Sequence, residues 1–321
     1  MRAVQYESIK GISFVTLGLF LFSIQDVIIR SFSDKYPVLQ IGFYRSITGI
    51  CIMLVILLVM YPPESRKLHL AWPVWVKGFC AFLSYTSYYL AIAVLPLADV
   101  ATITFSQPIM VTAASALIFR DRVGIRRWIG VLLGFFAIVL VVGPKGHFNN
   151  LAVVLALFAA FTYAVSTIMT RYMHPKDEAT IAAFYTVLIY LIGTIVITAG
   201  LVAFDLHPGD LAPEFDFLLR DWIMPGHLDQ WILLFLGIIA TAGFFCLVKA
   251  YMVAEFSAVA PFEYSYIFWG ALFGYLIWDE IPTLTTATGI ILLIGSNLYI
   301  LSREVKHKKR VAFRRPKIPK R

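Results

Sequence analysis

Among the ionisable side chains that fall inside long apolar runs, Asp26, Arg45, Lys249 and Glu263 could form pairs. An ionised group at the centre of a membrane-spanning helix costs at least ~2.5 kcal/mol, so such residues pair with one another or face a hydrated cavity. Asp26 and Arg45 stand a few residues in from the same end of neighbouring runs, at similar depth by the ~1.5 Å rise of a helix. Lys249 and Glu263 flank the turn between the eighth and ninth runs. The spacing predicts two ion pairs. Their chemistry would be the binding of a charged or zwitterionic solute, with Asp26 or Glu263 able to take up a coupling proton. The structural alternative is two neutralised pairs that only fix helix positions.

Hydroxyl and aromatic groups gather in the same runs. Ser84, Tyr85, Tyr88 and Tyr89 lie in the third, Tyr163 and Thr167 on one helix face of the sixth, and Tyr264, Tyr266 and Trp269 in the ninth. Such groups line a cavity and hold a cation or a flat ring, or they pack helices. Gln107-Pro108 and Pro261 interrupt two runs; each proline removes a helix hydrogen bond, giving a kink or a carbonyl free to meet a solute. The expected substrate-binding or coupling set is Asp26, Arg45, Tyr85, Tyr88, Gln107, Tyr163, Lys249, Glu263, Tyr264 and Trp269, with no catalytic residue, metal or cofactor.

The elements that must position these groups are ten apolar stretches, at about 11–31, 38–60, 72–94, 98–118, 125–143, 150–171, 178–203, 231–252, 256–278 and 284–302. Each is long enough to cross a hydrocarbon core of ~30 Å as a helix. With 60% hydrophobic and 14% charged residues, against about 25% charged in soluble domains, the chain reads as an all-α integral membrane protein. The connections are short except 204–230, which is acidic and holds an apolar piece, Phe215 to Met224, expected either on the membrane surface or as an ordinary loop.

Net charge +8 does not indicate nucleic acid, because ten of the 27 Lys and Arg lie in the last 19 residues. A basic tail beside a span anchors topology and contacts anionic lipid. Lys and Arg split twenty against four between the two sides of the membrane, which places both termini in the cytoplasm and the 204–230 loop outside. The first run lacks a small-residue cleavage site and reads as a retained span. Cys51, Cys80 and Cys246 form no spacing motif, and all six histidines fall in loops or the tail. A disulfide framework, a zinc site and an intramembrane histidine relay are therefore unsupported. The absence of an Asp-rich metal motif or a Ser/His arrangement argues against a lipid-modifying enzyme.

The sequence repeats itself. An offset of 159 aligns Val100-Ala101 with Val259-Ala260, Ser106 with Ser265, Asp121 with Glu280 and Gly130 with Gly289; an offset of 141 aligns Arg30 with Arg171, Lys35 with Lys176 and Phe43-Tyr44 with Phe184-Tyr185. Five spans per copy is odd, so the second copy enters the membrane from the opposite face. Inverted repeats of this kind place a substrate site near the midplane and give alternating access. The units are 8–145 and 150–303, followed by the tail 304–321. Asp26 and Arg45 align with Thr167 and Thr186, so the charges are not part of the shared scaffold. Gly130/Gly134 and Gly270/Gly274 make small faces for close helix packing; the first leaves a homodimer open. Asp99 and Glu255 are expected to cap helix N-termini, and Arg120-Asp121-Arg122 and Asp279-Glu280 to be solvated turn charges.

Phe43-Tyr44-Arg45-Ser46, Pro96-Leu97-Ala98-Asp99-Val100-Ala101, Ala260-Pro261-Phe262-Glu263-Tyr264 and Asp279-Glu280-Ile281-Pro282, in that order, resemble the EamA-type branch of the drug/metabolite transporter superfamily over about residues 8 to 303. The resemblance implies two EamA repeats, ten helices, a cavity lined by helices 1, 3, 4, 6, 8 and 9, and residence in a bacterial inner membrane. The branch includes exporters of amino acids and aromatic compounds and importers of vitamins. Lys249-Ala250 with Ala260-Pro261 and Tyr264 is also similar to the S-adenosylmethionine carriers of the superfamily, which tend to have a basic residue where Glu263 stands. An acidic residue there favours a solute with a positive group. The expected function is secondary transport of a small polar or zwitterionic metabolite such as an amino acid or amine; a multidrug exporter is the alternative.

Overall fold

The computed structural model describes residues 2–60, 72–107, 109–111, 125–142, 151–169, 172, 179–254, 259–295 and 298–299. The basic tail, Pro108, the turn 120–122, Arg171, Lys176 and Glu255 lie outside them, and so does the Gly130 environment. The described elements are helices: α1 Arg2–Phe32, α2 Val38–Met60, α3 Trp72–Val94, α4 Leu97–Thr104, α5 Ile125–Val142, α6 Leu151–Met169, α7 Ala179–Ala203, α8 His227–Val253, α9 Ser265–Trp278 and α10 Leu284–Gly295.

Five of them, α1, α2, α6, α7 and α8, carry stretches long and apolar enough to cross a membrane. Large apolar side chains face outward, as with Val196 at 61% exposure, which suits a lipid rather than an aqueous surroundings. The chain is thus a multi-pass membrane protein. The third helix falls short of that apolarity because six consecutive residues, Ser84 to Tyr89, carry hydroxyls.

Helix α1 packs along α8, and α3 along α6; α2 lies against α7 and α8, α3 against α7, and α9 crosses α1 and α4. Exchanging the first five helices with the last five turns α1·α8 into α6·α3 and α2·α8 into α7·α3, and leaves α2·α7 and α4·α9 as they are. Two glycines set the closest crossings. A Cβ at Gly237 would stand 2.5 Å from the Arg45 carbonyl oxygen and 2.6 Å from the Thr48 Cβ. A Cβ at Gly78 would meet Ile189 at 2.5–2.9 Å. Glycine is required at both because backbone meets a neighbouring helix directly. Gly78 and Gly237 are 159 apart, and Thr48 and Ile189 are 141 apart, the same offsets that align the sequence with itself.

The stretches expected from the sequence as the fourth and ninth spans are not continuous helices. After Thr104 the chain turns through Phe105–Ser106 and becomes helical again at Gln107. Ser106 N–H and Oγ–H both bond the Ile103 carbonyl, at 3.1 and 2.6 Å, and a proline at 108 has no N–H to offer Thr104. The ninth span opens with a 3₁₀ segment, Ala260–Tyr264, before α9 begins at Ser265. The two interruptions fall at aligned positions, Ser106 and Ser265, and the aligned rings Phe105 and Tyr264 pack with centroids 5.7 Å apart.

The apolar piece of the 204–230 loop folds onto the helix ends. A 3₁₀ turn, Pro213–Phe215, and a helical turn, Asp216–Leu219, bury Phe217 and Leu219. The Trp222 ring packs on Phe43 at 5.3 Å. Gln40 Nε2–H donates to the Ile223 carbonyl at 2.6 Å, and Ile223 N–H donates back to Gln40 Oε1 at 3.3 Å.

Candidate functional site

Asp26 of α1, Tyr88 and Tyr89 of α3, Arg45 of α2 and Tyr266 of α9 meet in one buried network. The ion pair expected between Asp26 and Arg45 does not form. Instead the Asp26 carboxylate accepts hydrogen bonds from the Tyr88 hydroxyl, at 2.8 Å, and from the Tyr266 hydroxyl. Those two hydroxyls lie 2.5 Å apart. Arg45 donates to the Tyr89 hydroxyl, which also receives Nε2–H of Gln25 at 2.9 Å. Adjacent tyrosines on α3 thus hold the acid and the base separately. The geometric reason is that α3 lies between α1 and α2 at this depth, so phenols reach each charge first. A hydroxyl bonds a buried charge without cancelling it.

Arg45 sits in an aromatic cage. Its Cζ lies 5.4 Å from the Tyr85 centroid and 5.5 Å from those of Tyr89 and Tyr190. Ring faces stabilise a desolvated guanidinium. They leave its N–H fork largely unmet: of five donors, one bonds the Tyr89 oxygen among the described residues. A flat, forked donor of this kind matches a carboxylate. Gly237 places the α8 backbone against the Arg45 carbonyl and so fixes where that fork stands.

The second expected pair is also absent. Lys249 is exposed near the end of α8 and makes no ion pair with Glu263 among the described residues. Glu263 is half-buried on the 3₁₀ segment, with no hydrogen-bond or ion-pair partner among the described residues. Tyr163 of α6 is exposed, at 36%. Tyr264 packs on Phe105. Trp269 lies apart from the tyrosines, edge-on to Phe20 at 5.0 Å in an aromatic cluster with Phe273. Gln107 is half-buried just after the α4 break.

Asp99 does not cap α4. It lies in the first turn, and its Oδ1 accepts from Thr286 Oγ1 at 3.0 Å. Glu280 is not a solvated turn charge either. Asp279 takes a left-handed conformation at φ 54°, and Glu280 N–H bonds the Gly274 carbonyl at 3.1 Å to close α9. That turn aims the Glu280 carboxylate inward. It receives Arg30 of α1 in a fork, at 2.5 and 3.0 Å, and the Leu97 N–H at the start of α4, at 3.2 Å. The Arg30 guanidinium lies 4.3 Å over the Trp278 ring. Arg30 and Glu280 went unselected as loop charges. Their signal was that each aligns with a like-charged residue in the other repeat.

Tyr190, also unforeseen, is one of two tyrosines in the apolar α7; its ring faces the Arg45 guanidinium, and its buried hydroxyl has no hydrogen-bond partner among the described residues. At the same end of the bundle, Asp229 at the start of α8 receives Lys35 and, at 2.6 Å, the Tyr36 hydroxyl, while Arg220 reaches the Ser33 carbonyl. The Asp229 carboxylate holds the Lys35 ammonium above its ordinary range, and burial raises the Tyr36 phenol.

Comparison with known proteins agrees with this architecture. The chain is 22% identical to an S-adenosylmethionine uptake transporter of Rickettsia prowazekii over 93% of this chain and 94% of that one. It is 25% identical to the pseudopaline exporter of Pseudomonas aeruginosa over 89% and 94%, and 28% identical to a riboflavin transporter of Vibrio cholerae over 64% and 62%. One solved crystal structure superposes with a TM-score of 0.59 over 94% of this chain and 98% of its own, at 15% identity, and so speaks to the fold alone. These relatives are transporters of small metabolites rather than enzymes. The EamA-like transporter family model matches twice, over residues 9–143 and 150–302, and the chain belongs to that family.

Proposed function

We propose that the protein is a secondary transporter of a small metabolite bearing both a carboxylate and a positive group, working by alternating access in a bacterial inner membrane. The observation that carries this reading is the state of Arg45: a guanidinium inside the membrane domain, caged by three tyrosine rings, with most of its donors unmet and no carboxylate partner among the described residues. A substrate carboxylate supplies that partner. Asp26, held by two exchangeable hydroxyls, and Glu263, which has no partner among the described residues, are the acceptors for the positive group, and either would carry a coupling proton.

Support for two inverted repeats comes from the exchange symmetry of the helix packing, the paired close approaches at Gly78 and Gly237, and the two aligned helix breaks. Interrupted helices at corresponding positions of the two halves mark the substrate site in repeat transporters. The Asp26 network lies beside both breaks through Tyr266 and Phe105, whose rings stack at 5.5 Å. This reading takes the chain to have ten spans with both termini cytoplasmic, and Lys249 to stand near the cytoplasmic mouth. S-adenosylmethionine, named for several relatives, combines an amino-acid end with a sulfonium and satisfies the charge pattern.

Thermal-shift screening of the purified protein tests this against a panel of amino acids, amines, S-adenosylmethionine and riboflavin. The expected result is stabilisation by a compound with both charges, lost in Arg45→Gln. Stabilisation only by large lipophilic cations, unchanged in Arg45→Gln, would make the protein a multidrug exporter instead.

A further inference from the structure

We infer that Arg30, Glu280 and the Leu97 amide form a latch that seals one mouth of the carrier and separates during its cycle; the inference rests on the transport reading above. The latch joins three helices. Glu280 follows α9, Arg30 ends α1, and Leu97 begins α4. Arg30 and Glu280 side chains are 11% and 18% exposed, so their mutual attraction is little screened. The Leu97 N–H is one of the first-turn amides that a helix leaves without an internal partner. Glu280 thus satisfies three donors from two other helices.

Two polar seams cross this end of the bundle, and they differ in what lies behind them. The seam at Lys35, Tyr36, Gln40, Arg220, Ile223 and Asp229 joins the α1–α2 turn to the 204–230 loop and α8. It is backed by α1·α8 and α2·α8, helix pairs in contact along their length. The Glu280 seam is backed by small residues and empty space. A cavity of about 120 Å³ lies beside it, lined by Ala98, Asp99, Gly270, Ala271, Gly274 and Thr286. Gly270 meets the Leu97 carbonyl only at ordinary contact distance, since a Cβ there would stand 3.6 Å away. The apolar packing between these segments lies deeper, at Ala101, Phe105, Tyr264, Tyr266 and Ile267, so at the mouth itself the polar contacts bridge α9 and α4. Ion pairing beside a cavity suits a contact at the mouth that must be broken and remade while the deeper packing acts as a pivot.

The latch also lies over the site. Ser23, Asp26 and Arg30 follow one face of α1, three and four residues apart. A path opened at Arg30 therefore leads toward Asp26. Ser23 is buried, with a hydroxyl that has no partner among the described residues, and serves as a reporter one turn deeper.

The test uses Ser23→Cys in full-length protein with Cys51, Cys80 and Cys246 replaced by serine. A membrane-impermeant maleimide is applied to right-side-out and inside-out vesicles. With the latch intact, labelling from the side bearing the 204–230 loop is slow. Glu280→Gln and, separately, Arg30→Gln should speed labelling from that side at least tenfold and leave the other side unchanged or slower. The exchange Arg30→Glu with Glu280→Arg should restore slow labelling, which a merely misfolded variant would not do. Gly274→Ala should act like Glu280→Gln without removing a charge, because its Cβ would stand 2.8 Å from Glu280 Oε2. Unchanged labelling in both single variants overturns the latch while leaving the carrier reading intact. No labelling from either side in any variant overturns both, because no hydrated path then reaches α1 at that depth.

Discussion

The two halves of this molecule share a scaffold and differ in chemistry. Gly78 against Ile189 and Gly237 against Thr48 are the same helix crossing made twice. At the level of the site the likeness ends. The first half has Asp26 and Arg45, held by phenols of α3. The second has Thr167, which is exposed, and Thr186, whose hydroxyl is spent on the Ala182 carbonyl one turn back at 2.8 Å. A repeat kept only for packing has no use for charges in one copy, since each is costly to bury and gains its hydrogen bonds only from groups that must be placed for it. In the proposed transport reading, the crossings make the frame and the departures from symmetry make the site.

The largest effect expected outside the site comes from breaking the shared frame. Gly237→Ala forces α8 away from α2 at the Arg45 carbonyl and Thr48, and should destabilise the protein by ~1–3 kcal/mol, the range for overpacking. Denaturation followed by tryptophan fluorescence in detergent checks this. Gly78→Ala should cost a similar amount, and a much smaller loss at either position would show that the two crossings are not equivalent. Gly237→Ala should also weaken substrate binding, since it moves Arg45; Gly78→Ala should do so less.

The smallest effect is at Lys35 and Asp229. Lys35 is exposed, and salt and water screen such pairs. Pairing raises the Lys35 value, so its contribution is present below the ordinary lysine range and lost only as pH rises through the raised value. Between pH 6 and 8 that small contribution is constant, so Lys35→Met should lie only slightly below wild type in thermal stability, by an amount that does not change with pH. A clear gap in that window would mean that this seam, rather than the Glu280 joint, carries the closure of the mouth.

Much of this was legible in the sequence, and the failures share a cause. Apolar run length placed α1, α2, α6, α7 and α8, because crossing a bilayer fixes length and composition together. The polar positions Asp26, Arg45, Tyr85 and Tyr88 stood out because polarity is expensive there. Partners were not legible. Asp26 and Arg45 at one depth looked like a pair, yet depth says nothing of which helix stands between them, and α3 does. Lys249 and Glu263 looked paired because they are near in sequence, but the 3₁₀ start of the ninth span places them apart. Glu280 looked solvated because it follows a helix, and only the left-handed Asp279 turns it inward. The prolines marked the interrupted spans; that the two breaks align needed coordinates.

Counterflow in proteoliposomes tests the central claim most directly, using the compound that most stabilises the purified protein. Vesicles preloaded with that compound should accumulate its labelled form through wild-type protein. Asp26→Thr and Arg45→Thr, which give the first half the residues of the second, should each cut that accumulation at least tenfold while the protein stays folded. Flux through wild type no greater than through empty liposomes, or equal flux through all three proteins, would contradict the account.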